Sequence, residues 1–109
     1  MEHRFDHENL DVYRLALEVA RACIGLRIPT GRSHLRGQIL QILRAADSTV
    51  LHIAEGRARG GDAGRNHDRI ALGSAAEACA GLDLVGSPEA LAEQPKLRRV
   101  GAMLRGLTR

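Results

Sequence analysis

Aromatic side chains are almost missing from this chain of 109 residues, which has no Trp, one Tyr and one Phe. Its core must therefore be built from Leu, Ile, Val and Ala, a set that suits helices better than sheets. The same scarcity leaves little with which to stack on unpaired bases. Cysteine is scarce too: Cys23 and Cys79 stand far apart, which excludes a zinc knuckle and a disulfide framework and leaves two small buried thiols. No apolar run approaches the roughly 18 residues of a membrane span. Residues 1–8 are polar and mixed in charge, so a cytoplasmic location with no membrane partner is expected.

Catalytic apparatus is equally hard to find. There is no Gly-x-x-x-x-Gly-Lys-Ser, the cluster Gly60, Gly61 and Gly64 follows a helix instead of a strand, and no Ser/His/Asp set has a hydrolase context. The Glu-x-x-His motif of di-iron bundles does not occur. The reversed His52-Ile-Ala-Glu55 occurs once and could supply two ligands but no cage, and His3 and His7 lack an intervening Glu in zincin order. No enzyme activity, metal or cofactor is expected.

What the chain does have is helical periodicity over the length of one domain, residues 1–109. A first helix is predicted from about Glu8 to Leu26, with Leu10, Tyr13, Leu17, Ala20 and Ile24 on one stripe and Val12, Ala16, Val19 and Cys23 on a second. Pro29 and Gly31 follow its end. A second helix is predicted from about Ser33 to Arg59, capped by Ser33 or Thr30. It carries more apolar surface (Leu35, Ile39, Leu40, Ile42, Leu43, Ala46, Val50, Leu51, Ile53, Ala54) than one bundle face uses. The excess points to self-association, or to tight wrapping around one central helix. A third helix, rich in Ala and Gly, is predicted from about Arg65 to Val85 with Asp62 or Asn66 as cap. A short turn through Glu93 and a fourth helix from Pro95 complete an antiparallel up-down-up-down four-helix bundle.

If the second and third helices fold back near Gly61, residues whose numbers sum to about 122 face each other. Ser48 then meets Ser74, Arg44 meets the turn holding Glu77, and Glu55 meets the start of the third helix. A polar seam of Arg44, Ser48, Glu55, Ser74 and Glu77 is expected, with ion pairs from Arg44 to Glu77 and from Glu55 across the turn. Exposed pairs of this kind are worth less than about 1 kcal/mol, whereas breaking a desolvated one costs about 3 to 5 kcal/mol.

Charge is uneven although the net is only +3. Residues 26–46 carry Arg27, Arg32, Arg36 and Arg44 with no acid, and residues 96–109 carry Lys96, Arg98, Arg99, Arg105 and Arg109 with none. Arg, which makes up all but one of the 16 basic residues, has a planar fork suited to phosphate and to desolvated ion pairs. The residues expected to touch phosphate are Arg32, Arg36, Arg57, Arg59 and Arg65, which lie in or beside loops and helix ends.

In Leu10-Asp-Val-Tyr13, Gln38 through Leu43 leading into Arg44-Ala-Ala-Asp-Ser48, Ile53-Ala-Glu-Gly56, and Ala71-Leu-Gly-Ser74 with Glu77, the chain resembles the bacterial four helix bundle protein family. That family is known from proteins encoded in intervening sequences of the large-subunit ribosomal RNA gene. His52 stands where the family usually has Asn. The resemblance implies a bundle assembling into a homo-oligomeric ring, commonly a pentamer. A more distant similarity is to the accessory protein of diversity-generating retroelements, a basic ring that binds a reverse transcriptase and nucleic acid. Three functions remain open at this point. One is a noncatalytic oligomer that binds structured RNA or DNA, or scaffolds a reverse transcriptase or other nucleic-acid enzyme. Another is a protein-interaction module with no nucleic-acid role, and the third is a ligand carrier or enzyme using a cavity near His52, Glu55 and His67.

Overall fold

The computed structural model describes residues 3–108, and every regular element among them is helical. The elements are α1 (Asp11–Ile24), α2 (Arg36–Arg59), α3 (Gly61–Val85), the short α4 (Pro88–Ala92) and α5 (Gln94–Leu107). Helix α1 lies against α2 and α5, and α3 lies against the same two helices, so four long helices enclose one core.

Helix α1 starts later than its periodicity suggests. Residues Asp6–Asn9 form a separate 3-10 turn, closed by Glu8 Oε2 accepting from the Phe5 amide at 2.8 Å, and Leu10 is extended with ψ 132°. The second of the two expected stripes is the one that is buried: Val12, Ala16, Val19 and Cys23, joined by Ala20. Leu10, Tyr13 and Leu17 flank the core half-buried, and Ile24 is 73% exposed. The helix ends at Ile24, two residues before the expected end, where Gly25 turns the chain.

Helix α2 has no side-chain cap from Ser33 or Thr30, because Ser33–Leu35 form a 3-10 turn that leads straight into it. Its core face is Ile42, Ala45, Ala46, Val50 and Ile53 together with Thr49, whose hydroxyl donates to the Ala45 carbonyl at 2.8 Å. Leu40 and Leu51 point to solvent.

Helix α3 begins at Gly61, four residues before the expected Arg65, so Asp62 and Asn66 lie inside it and cap nothing. Two successive glycines at positive φ make the reversal, the second of them, Gly61, at 58°. Gly60 has φ 63° and ψ 178°, a conformation open to glycine, and its carbonyl already accepts from the Gly64 amide at 2.9 Å. The far end of α3 stops at Gly86 in the left-handed conformation. There Arg32 reaches from the α1–α2 connection and donates to the carbonyls of Leu84 (3.2 Å) and Val85 (3.4 Å), two of the acceptors a helix end leaves unpaired. Ser87 caps α4 by accepting from the Ala90 amide at 3.3 Å, with Pro88 at the first helical position. The fourth long helix, α5, begins with Gln94 and carries Pro95 in its first turn.

Candidate functional site

The polar chemistry of the chain concentrates where α2 and α3 run back along each other, and two glycines set how closely they do so. A Cβ on Gly64 would sit 2.6 Å from the Gly56 carbonyl oxygen, and one on Gly56 would sit 2.7 Å from the Asp68 carboxylate and 3.0 Å from the Gly64 carbonyl. Real side chains do not fit such gaps. One turn beyond Gly64, Asp68 is therefore drawn fully inside, with Arg57 donating to its Oδ2 from the last turn of α2. Asp68 Oδ1 and Arg57 Nε are buried with no hydrogen-bond partner among the described residues. Burial pushes the Asp68 pKa above its ordinary value, and the Arg57 charge and hydrogen bond pull it only part of the way back.

Moving along the seam away from the turn, His52 and His67 come next, with their Nδ1 atoms 2.9 Å apart. One turn further, the hydroxyls of Ser48 and Ser74 are hydrogen-bonded at 2.8 Å. The other members of the expected seam are not brought together. Arg44 and Glu77 are both exposed and share no ion pair among the described residues. Glu55 turns outward to Arg59, four residues along its own helix, at 3.4 Å, and does not cross to α3. Arg44 and Glu55 share one side of α2 with Ser48 and His52, four residues before the one and three after the other, so helix face alone does not separate the pairs that form from those that do not.

Of the five arginines expected to hold phosphate, four are engaged within the chain. Arg32 donates to the end of α3, Arg57 neutralises Asp68, Arg59 pairs with Glu55, and Arg65 pairs with Asp62. Arg36 is exposed at the start of α2, with no partner among the described residues. The pairs of Arg59 and Arg65 are exposed and loosely held, worth less than about 1 kcal/mol, whereas that of Arg57 is fixed by a carboxylate with no access to water. On α5, Arg98, Arg99 and Arg105 are exposed, and Arg98 and Arg105 border a groove of about 600 Å³ between α3 and α5 that is floored by Leu72, Cys79 and Leu97. Arg98 also donates to Gln94 Oε1 at 3.3 Å, and Gln94 in turn donates to the Cys79 carbonyl and to Asp83. Lys96 is held by Glu18 (3.1 Å) and Glu93 (3.6 Å), which raise its pKa.

Neither cysteine is an activated nucleophile. Burial pushes the Cys23 thiol up to about 11, with Glu93 adding to the shift, and burial also raises that of Cys79. A disulfide reagent at pH 8 is expected to titrate half-buried Cys79 slowly and Cys23 only after denaturation. Equal rates in the folded protein would contradict this placement.

Sequence reasoning placed His52 and His67 near each other with Glu55, but missed Asp68 and the direct bond between the two rings. The register sum was the available signal: 56 and 64 make 120, 52 and 67 make 119, and 57 and 68 make 125, all near the 122 that pairs Ser48 with Ser74. Among the described residues no group of three or more His, Cys, Asp or Glu side chains is placed to hold a metal ion. None of the described helices is long and apolar enough to cross a membrane.

The profile of a family described as 23S rRNA-intervening sequence protein matches residues 8–104. No curated protein and no solved structure matches the chain.

Proposed function

Because the chain belongs to the 23S rRNA-intervening sequence protein family, we propose that it is a noncatalytic cytoplasmic protein that binds structured RNA through a basic surface. Its four long helices run up-down-up-down, and copies of it close into a homo-oligomeric ring. The observation that carries this reading is the acid-free stretch from Gln94 to the C-terminus, whose helix holds Arg98, Arg99 and Arg105 exposed to solvent. Phosphate contact is assigned there and to Arg36, since Arg32 and Arg57 already serve the fold. Repetition of the patch around a ring multiplies the number of contacts. Self-association is supported by Leu40 (49% exposed) and Leu51 (67% exposed) on the outer face of α2.

Sedimentation velocity with a labelled structured RNA at two salt concentrations tests both parts together. A ring making six to ten phosphate contacts is expected to lose about 1,000- to 100,000-fold in affinity between 50 and 200 mM salt. Charge reversal at Arg99 and Arg105 should weaken binding across RNA sequences alike and reduce the salt slope by about one per contact removed. An oligomer that ignores RNA would favour the second reading, an assembly module whose exposed leucines are its whole purpose. A monomer would remove the basis for both.

A further inference from the structure

The histidine pair at the α2–α3 seam has a geometry that its ring arrangement makes specific. The Nδ1 atoms of His52 and His67 are 2.9 Å apart, the ring centroids are 5.1 Å apart, and the ring planes differ by 25°. The centroid distance exceeds the nitrogen distance by 5.1 less 2.9 Å, about the diameter of an imidazole ring. Both nitrogens therefore lie close to the line joining the ring centres, and the rings meet edge to edge in nearly one plane. Their Nδ1 atoms point at each other across the gap between the helices. In the metal-free protein a single proton lies in that gap, on one ring, with the other ring accepting it.

We propose that His52 and His67 form a two-histidine chelate for a borderline divalent cation of the zinc class, which bridges α2 and α3 and keeps water in its remaining positions. Imidazole is a preferred donor for this class of ion. Tetrahedral zinc with bonds of about 2.0 to 2.1 Å holds two nitrogens about 3.3 Å apart, so the pair opens by a few tenths of an ångström and each ring swings by about 35° to turn its lone pair from the other nitrogen to the metal. Both side chains are half-buried, which leaves the open coordination positions reachable from solvent. Binding moves the bridging proton of the donor ring from Nδ1 to Nε2, so both Nδ1 lone pairs are free for the metal and no net proton is released. The site is independent of RNA binding, since it uses neither α5 nor Arg36.

Zinc chloride titrated into the metal-free full chain tests this, read by long-range proton–nitrogen spectra of the imidazoles and by thermal melting. The expected result is that the Nδ1 resonances of His52 and His67 shift together and saturate at one zinc per chain, with a rise in Tm. His52→Ala and His67→Ala should each lose that rise, whereas His3→Ala combined with His7→Ala should keep it. The proposal is overturned if zinc shifts His3, His7 or His34 in place of the seam pair, if only one seam ring responds, or if the Tm rise survives in both single variants. The spectra of the unaltered protein decide the matter even where a variant folds poorly.

Discussion

Arg57→Ala is expected to lose about 3 to 5 kcal/mol of unfolding free energy at pH 7, because it leaves the Asp68 carboxylate buried with no counter-charge. Asp68 has no solvent exposure, and one of its oxygens already lacks a partner in the intact protein. The loss should depend on pH in a direction that follows from the shift. An acid whose pKa is higher in the folded chain than in the unfolded one binds its proton more tightly when folded. Its contribution is then complete below the ordinary carboxylate range and is lost as pH rises through the raised value. Removing Arg57 takes away the two influences that hold the pKa down and leaves desolvation unopposed. The gap between the parent and Arg57→Ala should therefore be larger at pH 7 than at about pH 4, near the ordinary Asp value, where Asp68 is largely protonated in the variant. Urea unfolding at the two pH values measures this. In an Asp68→Asn background, where no buried charge is left to strand, Arg57→Ala should cost much less. Arg57, 26% exposed, keeps contact with water and does not become a buried charge of its own. An equal loss at both pH values would show that Arg57 acts through packing alone.

The sequence pattern carried the number of long helices and the height at which α2 and α3 meet, because apolar periodicity and a glycine turn are both written in the residue order. It did not carry which partner each side chain takes or which apolar face turns inward. Ser48 and Glu55 lie on nearly the same side of α2, about 20° apart, yet Ser48 bonds across to Ser74 whereas the longer Glu55 side chain finds Arg59 on its own helix. Ile24 lies by spacing on an apolar stripe of α1 and is exposed, since a stripe shows which residues share a face and not which of two apolar faces meets the core. Cap residues misled for a different reason. Asp62 and Asn66 are good caps, but Gly60 and Gly61, both at positive φ, reverse the chain and start α3 before either is reached. Asp68 was hidden among polar neighbours at the start of an expected helix, and its burial follows from the two small residues that let the backbones close over it.

Gly64→Ala is the most direct test of that closeness, and it is expected to cost about 3 kcal/mol, at the upper end for overpacking, since the clash is with backbone. The added methyl would lie 2.6 Å from the Gly56 carbonyl oxygen, an atom fixed by its own helix, where the Gly60 amide donates to it at 3.0 Å. No rotamer change relieves a Cβ against a carbonyl, so α2 and α3 must separate along the seam. Alanine is the better helix former by roughly 1 kcal/mol, so a substitution judged by propensity alone would stabilise the chain, and the sign of the effect discriminates between the two accounts. A loss of about 3 kcal/mol corresponds to a fall in Tm of about 12 °C or more for a domain of this size. Gly73→Ala supplies the comparison on the same helix, because a Cβ there meets nothing within 4 Å. It should stabilise or leave Tm unchanged. Separation at the turn also lets water reach Asp68, so Gly64→Ala should lower the Asp68 pKa toward its ordinary value and weaken the pH dependence described for Arg57→Ala. If Gly64→Ala melts at or above the parent temperature, the close approach at Gly56 is not what positions Asp68, and the buried pair must be held by α2 and α3 contacts further along the seam.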